Sequence, residues 1–211
     1  MSKPVFLFDI CNVMIHVGVK ELEARLSAAA GISGAHIYGN HVRDDLVAVE
    51  TGKMRGTDYF LKIKQSLNLD WIYEDWIVLW MELFSINPVG RNLFLDLKRK
   101  GYRVCTLSNL ADYNKLAIDR KFPGFLSESF RNFLSFEMGL HKPDARIYAA
   151  VCQALKVAPS DCLFLDDSLE NVQGAQVAGL RSVQFSNNAL DHVIAEIKAF
   201  AQSGVRNLPI P

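Results

Sequence analysis

Four polar signals stand out in this 211-residue chain: Asp9, the pair Ser108-Asn109, Lys142 and the pair Asp166-Asp167. Each falls just past an apolar run of strand formers or at the helix start nearby. Singly, each has a plain use. Asp9 could cap a turn, Ser108-Asn109 could be loop chemistry, Lys142 a solvated lysine, and Asp166-Asp167 a charge pair at a helix N-terminus. Together they impose an electrostatic condition. Three carboxylates in one crevice repel, and each has its pKa raised unless a cation compensates. A hard divalent cation is the simplest solution, and magnesium takes one or two carboxylates while keeping waters that phosphate oxygens can displace. A lysine and a hydroxyl opposite would serve the remaining oxygens of a phosphoryl group. The constellation predicts phosphoryl chemistry assisted by Mg2+.

The elements that must position these groups follow from periodicity. Val5, Phe6, Leu7 and Phe8 form a continuous apolar run, as a strand buried on both faces requires, and Asp9 follows it directly. In open α/β sheets, ligands sit outside the carboxyl ends of the strands, which is where Asp9 falls. Residues 20 to about 84 carry almost no strand signal. Helices are expected over Lys20–Ala30 (stopped by Gly31), over about Ala35–Glu50, from a cap at Thr57, and from a cap at Asp70. The last bears Trp71, Trp76 and Trp80, whose helical spacing favours core packing over a sugar platform. The α/β alternation resumes with a helix from Asn87-Pro88 to Gly101 and a strand Arg103–Leu107. A helix Ala111–Phe122, a strand Asn132–Phe136 and a helix opened by Pro143 follow. The chain closes with a strand Cys162–Leu165, a helix capped by Ser168, a strand Arg181–Phe185 and an amphipathic helix over 189–202. This order predicts an α/β three-layer sandwich with a parallel, Rossmann-like sheet and an inserted helical-bundle cap. The α/β core takes residues 1–16 and 88–211, the cap 17–87.

Bulk properties narrow the partners. Lys plus Arg (23) balances Asp plus Glu (23), so no net field recruits nucleic acid or an anionic membrane. An anionic small molecule must be captured by a local site. No apolar run approaches the roughly 18–20 residues of a membrane span, and the N-terminus does not read as a signal peptide. Cys11, Cys105, Cys152 and Cys162 lack CxxC or His pairing and read as reduced thiols, so the cytoplasm is the expected compartment. Oligomeric state is left open by the sequence.

FDICNV, LSN, GLHKPDARIY and FLDDSLENVQGAQVAG, in that order, resemble the four signature motifs of the haloacid dehalogenase superfamily. The resemblance covers essentially the whole chain and is nearest the helical-cap branch that holds glucose-1-phosphate phosphatase and the phosphatase domain of soluble epoxide hydrolase. It implies that Asp9 is a nucleophile forming an aspartyl-phosphate, with Ser108 and Lys142 as its catalytic companions. Substrate contacts would come from Asn12, Ser108, Asn109 and Lys142. Metal ligands would come from Asp9, the Cys11 carbonyl and Asp167, with Asp166 supporting them. The implied activity is magnesium-dependent hydrolysis of a small phosphorylated metabolite such as a sugar phosphate.

One position departs from the pattern. Most phosphatases of this superfamily carry a second aspartate, the general acid and base, two residues after the nucleophile. Here it is Cys11. A thiol among carboxylates should titrate above its usual ~8.5 and donate poorly to an alkoxide. Losing a positioned acid forfeits roughly 10²- to 10⁴-fold. The change favours leaving groups that need little protonation, or a proton from water or from a cap residue. Two other readings share the fold: a 2-haloacid dehalogenase attacking carbon without metal, and a catalytically weakened binding or scaffold module. Candidate cap contacts to substrate are His16, His41, Arg43, Lys53 and Arg55, each as readily a solvated surface residue.

Overall fold

The computed structural model describes residues 4–32 and 45–205. Its centre is a five-stranded sheet of β1 (Val5–Phe8), β4 (Arg103–Ser108), β5 (Asn132–Leu134), β6 (Cys162–Asp166) and β7 (Arg181–Gln184). All pairings are parallel and the order is β5-β4-β1-β6-β7, so β1 is central. Its four side chains are fully buried and alternate between two cores. Phe6 and Phe8 face one helical layer, meeting Phe200 of α10 (Leu190–Val205) and Phe94 of α5 (Pro88–Arg99) edge to face. Val5 and Leu7 face the other, in one cluster with Ile147, Tyr148 and Val151 of α8 (Ala145–Leu155). Each such side chain contributes about 1.5–3 kcal/mol by leaving water.

Between β2 (Ile15–Val17) and β3 (Phe84–Ile86) the chain makes α1 (Val19–Ala30), α2 (Leu46–Glu50), α3 (Gly56–Leu67) and α4 (Tyr73–Leu83). β2 and β3 pair antiparallel as a short ribbon where the insertion leaves and rejoins the sheet, which the strand-poor sequence did not signal. Of the helix expected over about 35–50, Leu46–Glu50 is helical; the rest lies outside the described residues, as do His41 and Arg43. Trp76 is fully buried and Trp80 is 8% exposed, stacked among Tyr59, Tyr113 and Phe84. They are core.

Two expected caps give way to other partners. α3 starts at Gly56, not after Thr57, because the carboxylate of Asp112 accepts from Gly56 N–H at 3.0 Å. α4 starts at Tyr73, not after Asp70, because Asp75 reaches back to accept from Ile72 N–H at 2.8 Å. Asp112 opens α6 (Asp112–Lys121), the core helix on which the insertion rests. Lys121 Nζ, at the far end of α6, donates to the carbonyls of Met81 and Phe84, both at 2.6 Å, and so caps α4. Arg120 pairs with Glu74 between these fastenings. A Cβ at Gly56 would come within 2.2 Å of Asp112 Oδ1. Gly56→Ala is therefore expected to cost about 1–2 kcal/mol by displacing this cap, lowering Tm by roughly 2–8 °C in thermal denaturation.

The remaining elements match the sequence reading closely. Asn87 Oδ1 accepts from Val89 N–H at 3.2 Å and caps α5 as expected. The strand expected over Asn132–Phe136 stops at Leu134, where the chain turns into α7 (Ser135–Met138). The helix after Pro143 begins at Ala145, capped by Asp144. Ser168 sits at the N-cap of α9 (Leu169–Val177) but its side chain makes no capping bond; Asp166 Oδ1 instead accepts from Ser168 N–H at 2.8 Å.

Candidate active site

Asp9 sits where β1 ends. Its N–H continues the ladder to Leu165 O (2.9 Å), and its Oδ1 accepts from Ile10 N–H at 2.8 Å, which fixes the carboxylate. Asp166 closes the neighbouring strand β6, so the parallel register alone brings the two carboxylates to one edge of the sheet. Asp9, Asp166 and Asp167 each present an oxygen within 4.8 Å of the others.

The compensating charge is Lys142, whose side chain is fully buried. Its ammonium donates to Asp166 Oδ2 (2.6 Å), Leu107 O (3.1 Å) and Asp9 Oδ1 (3.1 Å), so all three N–H bonds are used. Asn109, just past β4, clamps the backbone of Lys142 from both sides. Its Oδ1 accepts from Lys142 N–H at 2.9 Å and its Nδ2 donates to Lys142 O at 3.0 Å. The amide expected to face substrate thus holds the lysine. Asp166 is equally committed, accepting from Ser168 N–H and from Asn171 Nδ2 (3.0 and 3.1 Å) besides Lys142.

These contacts leave a charge imbalance. Burial pushes Asp9 up to about 7; Lys142 opposes this, and the charges of Asp166 and Asp167 add to it. Asp167 is also pushed up, by burial and then Asp166, against a hydrogen bond from Asn12. Burial works against the charge of Lys142, yet Asp9 and Asp166 hold its pKa above the ordinary lysine value. Burial, then Asp9 and Glu50, push the Cys11 thiol well up, so it is a protonated and weak acid. Ser108, at the end of β4, is fully buried, and its hydroxyl hydrogen-bonds Asp9, working against the rise in that carboxyl's pKa. The all-oxygen donor set with surplus negative charge fits a hard divalent cation such as Mg2+.

Glu50 and His141 join this centre without having been singled out in the sequence. His141 Nε2 lies 2.8 Å from Glu50 Oε2, and its Nδ1 lies 3.2 Å from Asn109 Nδ2. The only sequence signal was the place of His141 beside Lys142; Glu50 read as the end of a helix. A cavity of ≈ 180 Å³ is lined by Cys11 and Asn12, which follow Asp9 in the chain, and by Glu50, Trp80, Asn109 and Asn114 among others. A larger cavity of ≈ 580 Å³ lies apart from the carboxylates, at the base of the insertion between His16, Glu21, Arg25 and Glu82. His16 belongs to that second cavity. Lys53 and Arg55 are exposed, and Arg55 is paired with Asp58 at 2.9 Å.

The family model for the haloacid dehalogenase-like hydrolases matches residues 4–179. A phosphatase of Mycobacterium tuberculosis, MT3486, is 32% identical over 118 residues, 53% of this chain and 52% of that one, so the match spans about half of that relative's length. D-ribitol-5-phosphate phosphatase of Bacteroides thetaiotaomicron is 22% identical over 191 residues, 87% of this chain and 92% of that one. Among solved structures, an enzyme of this family from Bacteroides thetaiotaomicron, in complex with magnesium and inorganic phosphate, superposes with a TM-score of 0.76. The two are 20% identical, over 88% of this chain and 95% of that one. Among the described residues no helix is long and apolar enough to cross a membrane.

Proposed function

Because the chain belongs to the haloacid dehalogenase-like hydrolases, we propose that it is a magnesium-dependent phosphatase acting on a small phosphorylated metabolite. The observation that carries this reading is the buried Lys142 ammonium joined to both Asp9 and Asp166, with the Ser108 hydroxyl beside Asp9. A lysine so placed holds Asp9 ionised for attack and compensates phosphoryl charge as it develops. Ser108, beside the nucleophile, donates to a phosphoryl oxygen. Asn12 contacts substrate at the cavity mouth, while Asn109 acts on it chiefly by fixing Lys142.

Asp9 attacks phosphorus and carries the phosphoryl group until water displaces it, so one hard displacement becomes two easier ones. Asp9, Asp167 and the Cys11 carbonyl hold Mg2+, with Asp166 bracing Lys142 and the turn that presents Asp167. The metal supplies charge neutralisation between the carboxylates and the phosphoryl oxygens. Residues 17–87 act as a cap over the core of 1–16 and 88–211. The likeness to D-ribitol-5-phosphate phosphatase supports a polyol or sugar phosphate.

The test is a panel of phosphorylated metabolites assayed for phosphate release with Mg2+ and with EDTA. Release is expected with Mg2+ and its loss with EDTA, restored by added Mg2+. Release of halide from 2-haloacids in EDTA, with no phosphate release, would overturn the reading. Treatment with beryllofluoride and Mg2+ is expected to leave an adduct on Asp9.

A further inference from the structure

An alkyl phosphate cannot leave as a bare alkoxide at a useful rate; the departing oxygen needs a proton as its bond to phosphorus breaks. The cavity lined by Cys11 and Asn12 offers few donors of that strength. Cys11 offers a thiol, a far weaker acid than a carboxyl group, and Asn12, Asn109 and Asn114 are amides. Tyr113 lines the same space, but a phenol is likewise a weaker donor than a carboxyl group. The one carboxyl group lining this cavity among the described residues is Glu50. It shares that lining with Cys11, two residues after Asp9.

Glu50 is held there by two unrelated features. Its Oε2 lies 2.8 Å from His141 Nε2. Asn109 fixes which ring nitrogen carries the proton. Asn109 Oδ1 already accepts from Lys142 N–H, so its Nδ2 must donate, and His141 Nδ1 must accept. The ring proton is therefore on Nε2 and points at Glu50. Two residues on, Gly52 has φ +68°, and a Cβ there would lie 2.4 Å from Phe136 O of α7. The backbone after α2 is pressed against the core at a distance that only glycine permits. Side chain and backbone thus both hold Glu50, carried by the inserted helices, in the cavity it shares with Cys11 and Asn109.

We propose that Glu50 is the acid–base group of this site and that His141 is its positioning residue. The proposal rests on the phosphatase reading above. As the Asp9 oxygen bonds to phosphorus, the bond from phosphorus to the substrate oxygen breaks and its electron pair stays on that oxygen. That oxygen takes the Glu50 proton and leaves as the alcohol. Glu50, now a carboxylate held by His141 Nε2–H, takes a proton from the incoming water. The water oxygen bonds to phosphorus, the bond to Asp9 breaks with its pair returning to Asp9, and phosphate departs with Glu50 again protonated.

The experiment compares glycerol 2-phosphate, whose alkoxide must be protonated, with p-nitrophenyl phosphate, whose phenolate need not be. Wild type, Glu50→Gln and His141→Gln are assayed with Mg2+, and Tm is recorded for each. Glu50→Gln is expected to lose roughly 10²- to 10⁴-fold in kcat/KM on glycerol 2-phosphate and less than about tenfold on p-nitrophenyl phosphate. With p-nitrophenyl phosphate, its stopped-flow trace should show a nitrophenolate burst and then slow turnover, because the base for the second displacement is gone. His141→Gln is expected to shift the same substrate ratio in the same direction by about tenfold. Equal losses on both substrates would assign the pair a purely structural role and overturn the proposal, as would no loss on either. Absence of turnover by the wild-type protein on both would instead overturn the phosphatase reading, and this assignment with it.

Discussion

Asp9→Asn is expected to abolish turnover, by roughly 10⁴-fold or more, and at the same time to make the metal-free protein more stable at neutral pH. The first effect follows from the proposed role of its oxygen as the atom that bonds phosphorus. The second follows from where that oxygen is kept. Asp9 is 5% exposed, and burial lifts its pKa from 3.8 to about 7 in the fold. An acid whose folded pKa exceeds its unfolded one contributes its stability below the unfolded value, and loses it as pH rises through the folded value. In EDTA the wild type should therefore weaken between about pH 4 and pH 7, and asparagine should remove that slope. Urea midpoints at pH 5.5 and pH 8 measure it: the variant's advantage must widen at the higher pH. Adding Mg2+ should reverse the order by stabilising the wild type more. A variant that still turns over would overturn the assignment of the nucleophile; one less stable than wild type at pH 8 in EDTA would overturn the electrostatic account.

Lys142→Met should fail on both counts. The ammonium is the shared partner of two buried carboxylates and of Leu107 O, and methionine supplies none of the three donors. Removing one member of a buried ionic cluster costs about 3–5 kcal/mol, because the charges left behind keep their burial and lose their counter-ion. At roughly 2–4 °C per kcal/mol for a chain of this size, Tm should fall by about 6–20 °C in EDTA. Turnover should fall about 10²- to 10³-fold even in the fraction that folds. Lys142→Arg should not rescue it, since the side chain has no exposed surface into which a planar guanidinium could extend. Differential scanning calorimetry alongside the phosphate-release assay separates the two losses.

Much of this site was legible in the sequence because parallel strands buried on both faces must be apolar throughout. The break in such a run, at Phe8-Asp9 and again at Leu165-Asp166, then marks the sheet edge where ligands collect. The helices α1 and α5 were legible for a similar local reason: Gly31 at φ +65° and the Asn87 side chain act within their own turns. What was not legible is long-range. The β2–β3 ribbon has only three residues per strand and one exposed position in each, too short for alternation to show. Thr57 and Asp70 were reasonable caps by residue type, but Asp112, 56 residues away from Gly56, displaced the first. Glu50 meets His141 across 91 residues, and no periodicity encodes that meeting. Asn109 was expected to face substrate, and it does line the cavity; that its amide also matches both backbone groups of Lys142 depends on how two loops approach.

The fastenings on α6 bear on how such a protein could be recombined. Asp112, Arg120 and Lys121 belong by sequence to the catalytic half, yet they terminate or brace α3 and α4 of the inserted half. A chimaera that imported residues 17–87 from a relative would bring helices whose ends find strangers on α6. The transplantable module is therefore a discontinuous one, the insertion together with 112–121, and substrate range should migrate between relatives only when both pieces travel as a set.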